Sequence, residues 1–282
     1  MGSLSDYAEL ELLDHLFNAA YSAPGTLYLA LCTAAVTDDL TGATITEVTD
    51  AGSYARTEIA FSAASSRAVV QNGDVEFPQA TDAWGTVSHW AILDGNTHGA
   101  DNMLAYGAFT SGFAVVNGNT VTVPSLEITV EIVTTATDAG FSTYVVNKLL
   151  DLMFNSTAFT STAGDTFIAL MTATADDDDA DTDDLTEVSS VGTGYIRKEV
   201  DINGGASPTW DLAAAGVVDN THTITLGPPS ASWGLITSMA IVDAISGTAN
   251  ILCYDNANIV DQTPVDGDTV QFAVGALDIT IT

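Results

Sequence analysis

The stretch LLDHLFNAAYSAPGTLYLALCTA, Leu12–Ala34, decides the fold. Leu12, Leu13, Leu16, Phe17 and Ala20 recur at the spacing of one helical face. Pro24-Gly25 breaks that pattern, and LYLALC is apolar at every position, as in a strand buried on both faces. The helical block returns as LLDLMFN at Leu149–Asn155, and the strand block as FIALMTA at Phe167–Ala173. The rest of the chain continues the echo. SYAR is answered by GYIR, matching Tyr54 to Tyr195 and Arg56 to Arg197. AWGTVSHWAILD is answered by SWGLITSMAIVD, matching Trp84 to Trp233 and Asp94 to Asp243. NGNTV (117–121) is answered by DGDTV (266–270), and LEITV (126–130) by LDITI (277–281). Six blocks in one order make the chain a tandem duplication, with the length differences falling between blocks, as loop insertions do.

Each copy therefore begins with a helix. Ser5 and Ser142 are placed to cap it, and Val146, Leu149, Leu150, Met153 and Phe154 form the second copy's stripe. Strands are predicted at Leu27–Cys32, Tyr54–Phe61, Val69–Gln71, Val75–Phe77, Thr86–Leu93, Leu104–Phe109, Thr120–Val123 and Leu126–Ile132. Within Tyr54–Phe61 the alternation points Ala55, Ile59 and Phe61 inward, with Ile196, Val200 and Ile202 as counterparts. Asn72-Gly73 and Asn117-Gly118 are turn dipeptides. The fold class expected is mainly β: two tandem antiparallel β-sandwich-like domains, each with an N-terminal α-helix on one sheet face or end. The first spans residues 1–133 and the second 141–282, with 134–140 as the linker.

The 282 residues carry 37 Asp and Glu against 5 Lys and Arg, a formal net charge of −32. With 46 % of residues hydrophobic, the chain is not of disordered composition. Such like charge repels itself in dilute buffer and is screened in molar salt, where the Debye length is roughly 3 Å. The composition points to a high-salt setting and argues against nucleic acid as a partner, since phosphates need Lys and Arg. No apolar run reaches membrane-span length, and MGSLSDYAEL has neither the basic nor the apolar part of a signal peptide. Two cysteines, Cys32 and Cys253, lie in apolar runs and read as buried thiols.

The chemistry-bearing candidates are few. DDDDADTDD, Asp176–Asp184, could hold a hard cation, but it lacks the glycine that turns a calcium loop and reads as a solvated run. His15, His89, His98 and His222 have no second ligand at metal spacing, and His98 reads as a loop residue. Asp14 and Asp151, with Asp94 and Asp243, recur in both copies and read as local hydrogen-bonding positions rather than a catalytic carboxylate pair. Arg56 and Arg197, recurring in a chain so poor in arginine, suggest a fixed, fold-holding ion pair, for which Glu47 and Glu187 are the candidate partners, with ligand binding as the alternative. Trp84 and Trp233 read as packed under a loop, with stacking on a sugar as the functional alternative. No nucleophile elbow, P-loop, dinucleotide fingerprint or zinc spacing is present, so catalytic, cofactor-binding and metal sites are all expected to be absent.

The order of the blocks resembles a small virion-protein domain of tailed phages. Members carry a strand like VYVALFT, then GYAR, then an FP…WGTVTH…IFD segment, and end on GDT and ITI motifs. Here the corresponding stretches are TLYLALCTA, GSYAR, VEFPQATDAWGTVSHWAILD, NGNTV and LEITV. The likeness covers residues 4–132 closely and 141–282 more loosely, where LGPP (Leu226–Pro229) replaces the FP step. The resemblance implies a non-enzymatic structural protein on the virion exterior, described in the family as head decoration or tail fibre, and carries over no catalytic residue. Joined to the acidity, it implies a virus of halophilic hosts, haloarchaea among them. Capsid decoration or turret is the first expectation, on the ground that a long shaft needs more repeats. A tail-fibre or receptor-binding component, or a carbohydrate-binding surface module, stands as the alternative. Expected partners are other virion proteins, the major capsid protein first, copies of itself, and host surface glycans, with no nucleic acid and no membrane. Docking is expected through acid-free stretches: Phe61–Val70, Phe109–Val116 and Leu226–Leu235.

Overall fold

A computed structural model describes residues 2–133, 139–159, 165–257, 259 and 262–281. The elements of the first repeat are β1 (Gly2–Leu4), α1 (Asp6–Phe17), β2 (Leu27–Cys32), β3 (Thr57–Ile59), β4 (Ala68–Val70), β5 (Val75–Glu76), β6 (Gly85–Leu93), β7 (Met103–Val115), β8 (Thr122–Val123) and β9 (Thr129–Glu131). Those of the second are β10 (Ala139–Phe141), α2 (Thr143–Asn155), β11 (Thr166–Met171), β12 (Lys198–Val200), β13 (Val217–Val218), β14 (Ile224–Leu226), β15 (Ser238–Val242), β16 (Ile251–Asp255), β17 (Val270–Phe272) and β18 (Ile279–Thr280). The fold is mainly β with a helix near the start of each repeat, as the sequence predicts. Of the predicted linker, residues 134–138 lie outside the described residues, and Ala139 and Gly140 open β10.

The two repeats connect their strands in the same order. One sheet runs β3-β2-β6-β7-β1 and continues to β9-β4, with β5-β8 as a separate pair. The other runs β12-β11-β15-β16-β10, with β13-β18 and β14-β17 as pairs. Named pairings are antiparallel except at β1 and β9, which meet in parallel through Gly2 and Val130. The short β1 and β10 carry no sequence signal. Gly2 lies where a Cβ would strike the Trp90 ring, so glycine lets β1 pass.

The chain divides into two compact units, and the division runs through both helices. Unit 1 comprises residues 1–10, 22–132 and 150–158; unit 2 comprises 11–21, 133–149 and 159–282. Each unit thus holds the C-terminal half of the helix that begins in the other repeat, and the contacts inside the two units correspond. In unit 1 Phe154 meets Phe61 edge to face at 5.1 Å; in unit 2 Phe17 meets Trp210 at 5.2 Å. Asp151 Oδ1 accepts from Ala64 N at 2.7 Å, and Asp14 Oδ1 from Ala213 N at 2.8 Å. Asn155 Nδ2 donates to Ser62 O, and Asn18 Nδ2 to Asp211 O. Asp14 and Asn18, like Asp151 and Asn155, are also bonded to each other one helical turn apart. Leu12, Leu13, His15, Leu16 and Phe17 are all buried, as are Val145, Val146, Leu149, Leu150, Leu152, Met153 and Phe154. Ala20 falls beyond the end of α1 and is exposed, against the predicted stripe.

Both predicted caps form. Ser5 Oγ accepts from Ala8 N and Ser142 Oγ from Val145 N, while their hydroxyls donate to Met103 O and Ile251 O. A buried amide does a further job in each unit. Gln71 donates to Gly73 O and Val123 O and accepts from Ile128 N; Asn220 donates to His222 O and Ala273 O and accepts from Leu277 N. Each satisfies backbone groups in and beside the short strands of its unit.

Candidate functional site

The recurring Tyr-x-Arg tripeptides turn inward, and this corrects the predicted alternation. Tyr54, Arg56, Ile59 and Phe61 are buried while Ala55 is exposed; Tyr195, Arg197 and Val200 are buried while Ile196 is 75 % exposed and Ile202 half-buried. The arginine is the reason. A guanidinium taken from water needs several acceptors, and the chain supplies them on the inner side.

Glu47 and Glu187 face the arginines because each pairs by a β-bridge with the end of the apolar strand β2 or β11, Glu47 with Cys32 and Glu187 with Met171. Arg56 Nε and Nη2 donate to the two Glu47 oxygens at 2.9 and 2.8 Å, and Arg197 to Glu187 at 2.9 and 2.7 Å, a bidentate geometry in both units. The tyrosine hydroxyl completes the arrangement. Tyr54 donates to Glu47 Oε1 and accepts from Leu31 N; Tyr195 donates to Glu187 Oε1 and accepts from Leu170 N. Burial, then the neighbouring glutamate, pushes both phenols far above their ordinary range, so they remain protonated donors. Burial likewise pushes the Cys32 thiol to about 12 and Cys253 upward, leaving two inert buried thiols as expected. Trp84 and Trp233 stand edge to face on these tyrosines at 5.3 Å. Their indole N–H groups donate to Gly52 O and Thr193 O, and both rings are buried, so they pack under loops and offer no face to a sugar.

The units differ around this shared frame. In unit 1 Arg56 Nη1 also meets Asp101 at 3.0 Å and the Gly95 carbonyl. His98, expected to be an ordinary loop residue, folds back onto Tyr54, ring to ring at 6.3 Å. Its Nε2 donates to Val48 O at 2.8 Å and lies 3.8 Å from Glu47 Oε2. In unit 2 the corresponding loop, Asp243–Asn250, is one residue shorter than Asp94–Asn102 and has neither a histidine nor an acid at these places. Arg197 Nη1 keeps the bond to the matching carbonyl, that of Ala244, with no acid in the place of Asp101. The Glu187 side chain is 20 % exposed where Glu47 is 2 %. A cavity of about 460 Å³ opens there, with Glu187, Val188, Tyr195 and Arg197 in its lining. The repeat pattern does not flag His98 or Asp101, because His98 falls at the one-residue gap and Asp101 is answered by Ala249.

The remaining candidates take local roles. Asp94 accepts from Asn102 N and Nδ2, and Asp243 from Asn250 N and Nδ2, closing the hairpin loops. His15 is buried with Nε2 at 2.9 Å from Phe159 O and Nδ1 accepting from Tyr21 N, which makes it a neutral imidazole with the proton on Nε2; burial lowers its pKa. His89 bonds Ser88, and His222 bonds Ser207 and Thr221. Asp176, Asp177 and Asp178 bring carboxylate oxygens within 4.8 Å of one another. Within the run, Asp176, Asp181 and Asp184 side chains accept backbone N–H bonds, as turn-forming aspartates do. Among the described residues no helix is long and apolar enough to cross a membrane.

Compared with known proteins, residues 3–131 and again 140–280 match the model of a family described as Podophage GP4 fiber I protein gp80. A comparison with curated proteins finds no match.

Proposed function

The chain belongs to this podophage fiber I protein family, with the family domain present twice, and from that premise we propose that it is a non-enzymatic subunit of a tail fibre. Its place is the exterior of a tailed-phage particle, in association with other virion components. The observation that carries the fibre reading is the tandem match of residues 3–131 and 140–280 to a fibre family. It favours the tail over the head decoration expected first from sequence. The burial of Trp84 and Trp233 weakens the carbohydrate-module alternative, which needs exposed aromatic faces. Both repeats spend their recurring polar residues on internal bonds, Glu47 with Arg56 and Asp94 with Asn102 among them, which supports a structural role.

The acidity supports a particle that lives in concentrated salt. The partners proposed are neighbouring fibre or tail subunits and further copies of this chain. Antibody-gold labelling of intact virions tests the placement. Label on the tail appendages is the expected result, and label spread over the head would overturn the fibre reading in favour of decoration.

A further inference from the structure

We infer that the cavity of unit 2 is a binding site for a small planar ring bearing an N–H donor, of the imidazole type. Unit 1 shows what such a place accepts. There the chain supplies the ring itself: His98 meets Tyr54 edge to face, its Nε2 donates to Val48 O, and Glu47 Oε2 lies 3.8 Å away.

Every partner of that ring has a counterpart in the cavity lining of unit 2. Tyr195 corresponds to Tyr54, Val188 to Val48, and Glu187 to Glu47. The ring has none, because the shorter loop places Ser246, Gly247 and Thr248 there. The frame beneath is held as in unit 1, by a bidentate arginine and a tyrosine hydroxyl, so the site is preorganised and need not be rebuilt on binding. Glu187 Oε2 accepts one bond, from Arg197 Nη2, and a carboxylate oxygen has room for a second donor.

Two further substitutions adapt the place to a ligand that is not tethered. Ile196 replaces Ala55 and Ile245 replaces Asn96; both line the cavity and are more than half exposed. They add apolar walls for the faces of a ring. Glu187 and Asp183 against Arg197 leave the lining net negative, which repels anions and favours neutral or cationic N–H donors. The same chemistry is offered by a free heterocycle and by a histidine side chain of another chain.

The test is a titration of the full-length protein with imidazole, followed by NMR of the indole N–H of Trp233 and Trp84 and of the Arg197 Nε–H. In the wild type, the Trp233 and Arg197 signals are expected to shift saturably while Trp84 stays in place, since His98 already fills unit 1. In His98→Ala the Trp84 signal should join them, so that one site becomes two. A parallel titration with N-acetylhistidine methylamide separates the sources: saturation at the same site identifies a side chain, and exclusion identifies a free heterocycle. The inference is overturned if Trp233 and Arg197 do not respond in the wild type. It is equally overturned if Trp84 and Trp233 respond alike there. The wild-type titration decides the matter even if His98→Ala does not fold.

Discussion

Glu9 shows how a single residue records the acidity of the whole. It sits in the first turn of α1, where the helix dipole favours an anion. It is nevertheless half-buried, with Asp6 and Asp38 nearby, and desolvation first, then those charges, raise its carboxyl to about 7 from an ordinary 4.5. The folded state therefore holds a proton that the unfolded chain releases between about pH 4.5 and 7. Stability from this residue is fully present below pH 4.5 and is lost as pH rises through 7. Glu9→Gln should match the wild type near pH 4.5 and become the more stable protein above pH 7, as read by urea unfolding at fixed salt. An advantage that shrinks as pH rises would overturn this account. Legibility at this scale followed repetition. The Glu47–Arg56 and Glu187–Arg197 pairs could be read because scarce arginines recur at matched places. Glu9 corresponds to Val146, and His98 has no equivalent, so nothing in the repeat singled either out.

At the level of elements, periodicity located the helices and β2, and the caps Ser5 and Ser142 marked where each helix begins. The ends were harder to read. β7 runs to Val115, well past the predicted Phe109, because the half-exposed hairpin beyond it alternates weakly. Nor does any sequence signal say which core each helix half serves, since LLDHLFN and LLDLMFN would pack equally well within their own repeat or in the other unit. That division makes a prediction with an unusual address. Asp14→Ala removes the acceptor of Ala213 N and Asn18 Nδ2, so it should loosen unit 2 although it lies in the first repeat. Asp151→Ala removes the acceptor of Ala64 N and Asn155 Nδ2 and should loosen unit 1. Each costs about 1.5–3 kcal/mol, the range for hydrogen bonds to a charged group. Amide hydrogen exchange resolves the two cases: Asp14→Ala should speed exchange around Ala213 and Val217–Val218 and spare Ala64–Val70. The opposite pattern would mean that each helix serves its own repeat.

Across the whole molecule, 37 acids against 5 bases repel one another, and distances decide how much salt is needed to offset the repulsion. Residues 1–137 carry 16 acids and 2 bases, and residues 138–282 carry 21 acids and 3 bases, so both halves are self-repelling and the second more so. An ordinary acidic protein gains most of its screening by about 0.1 M salt, where the Debye length is roughly 10 Å. That length is still twice the 4.8 Å within which Asp176, Asp177 and Asp178 hold their oxygens. Such close repulsions are damped only near 1 M, where the length falls to roughly 3 Å. The melting temperature should therefore go on rising between about 0.1 and 1 M NaCl instead of levelling off. Each ~1 kcal/mol of relieved repulsion is worth about 2–4 °C for a protein of this size. Replacing Asp176, Asp177 and Asp178 with Ser should flatten the upper part of that curve while leaving the fold intact by circular dichroism. A curve already flat above about 0.1 M in the wild type would show that these charges are relaxed by spacing alone, and would remove the physical ground for placing the particle in concentrated brine.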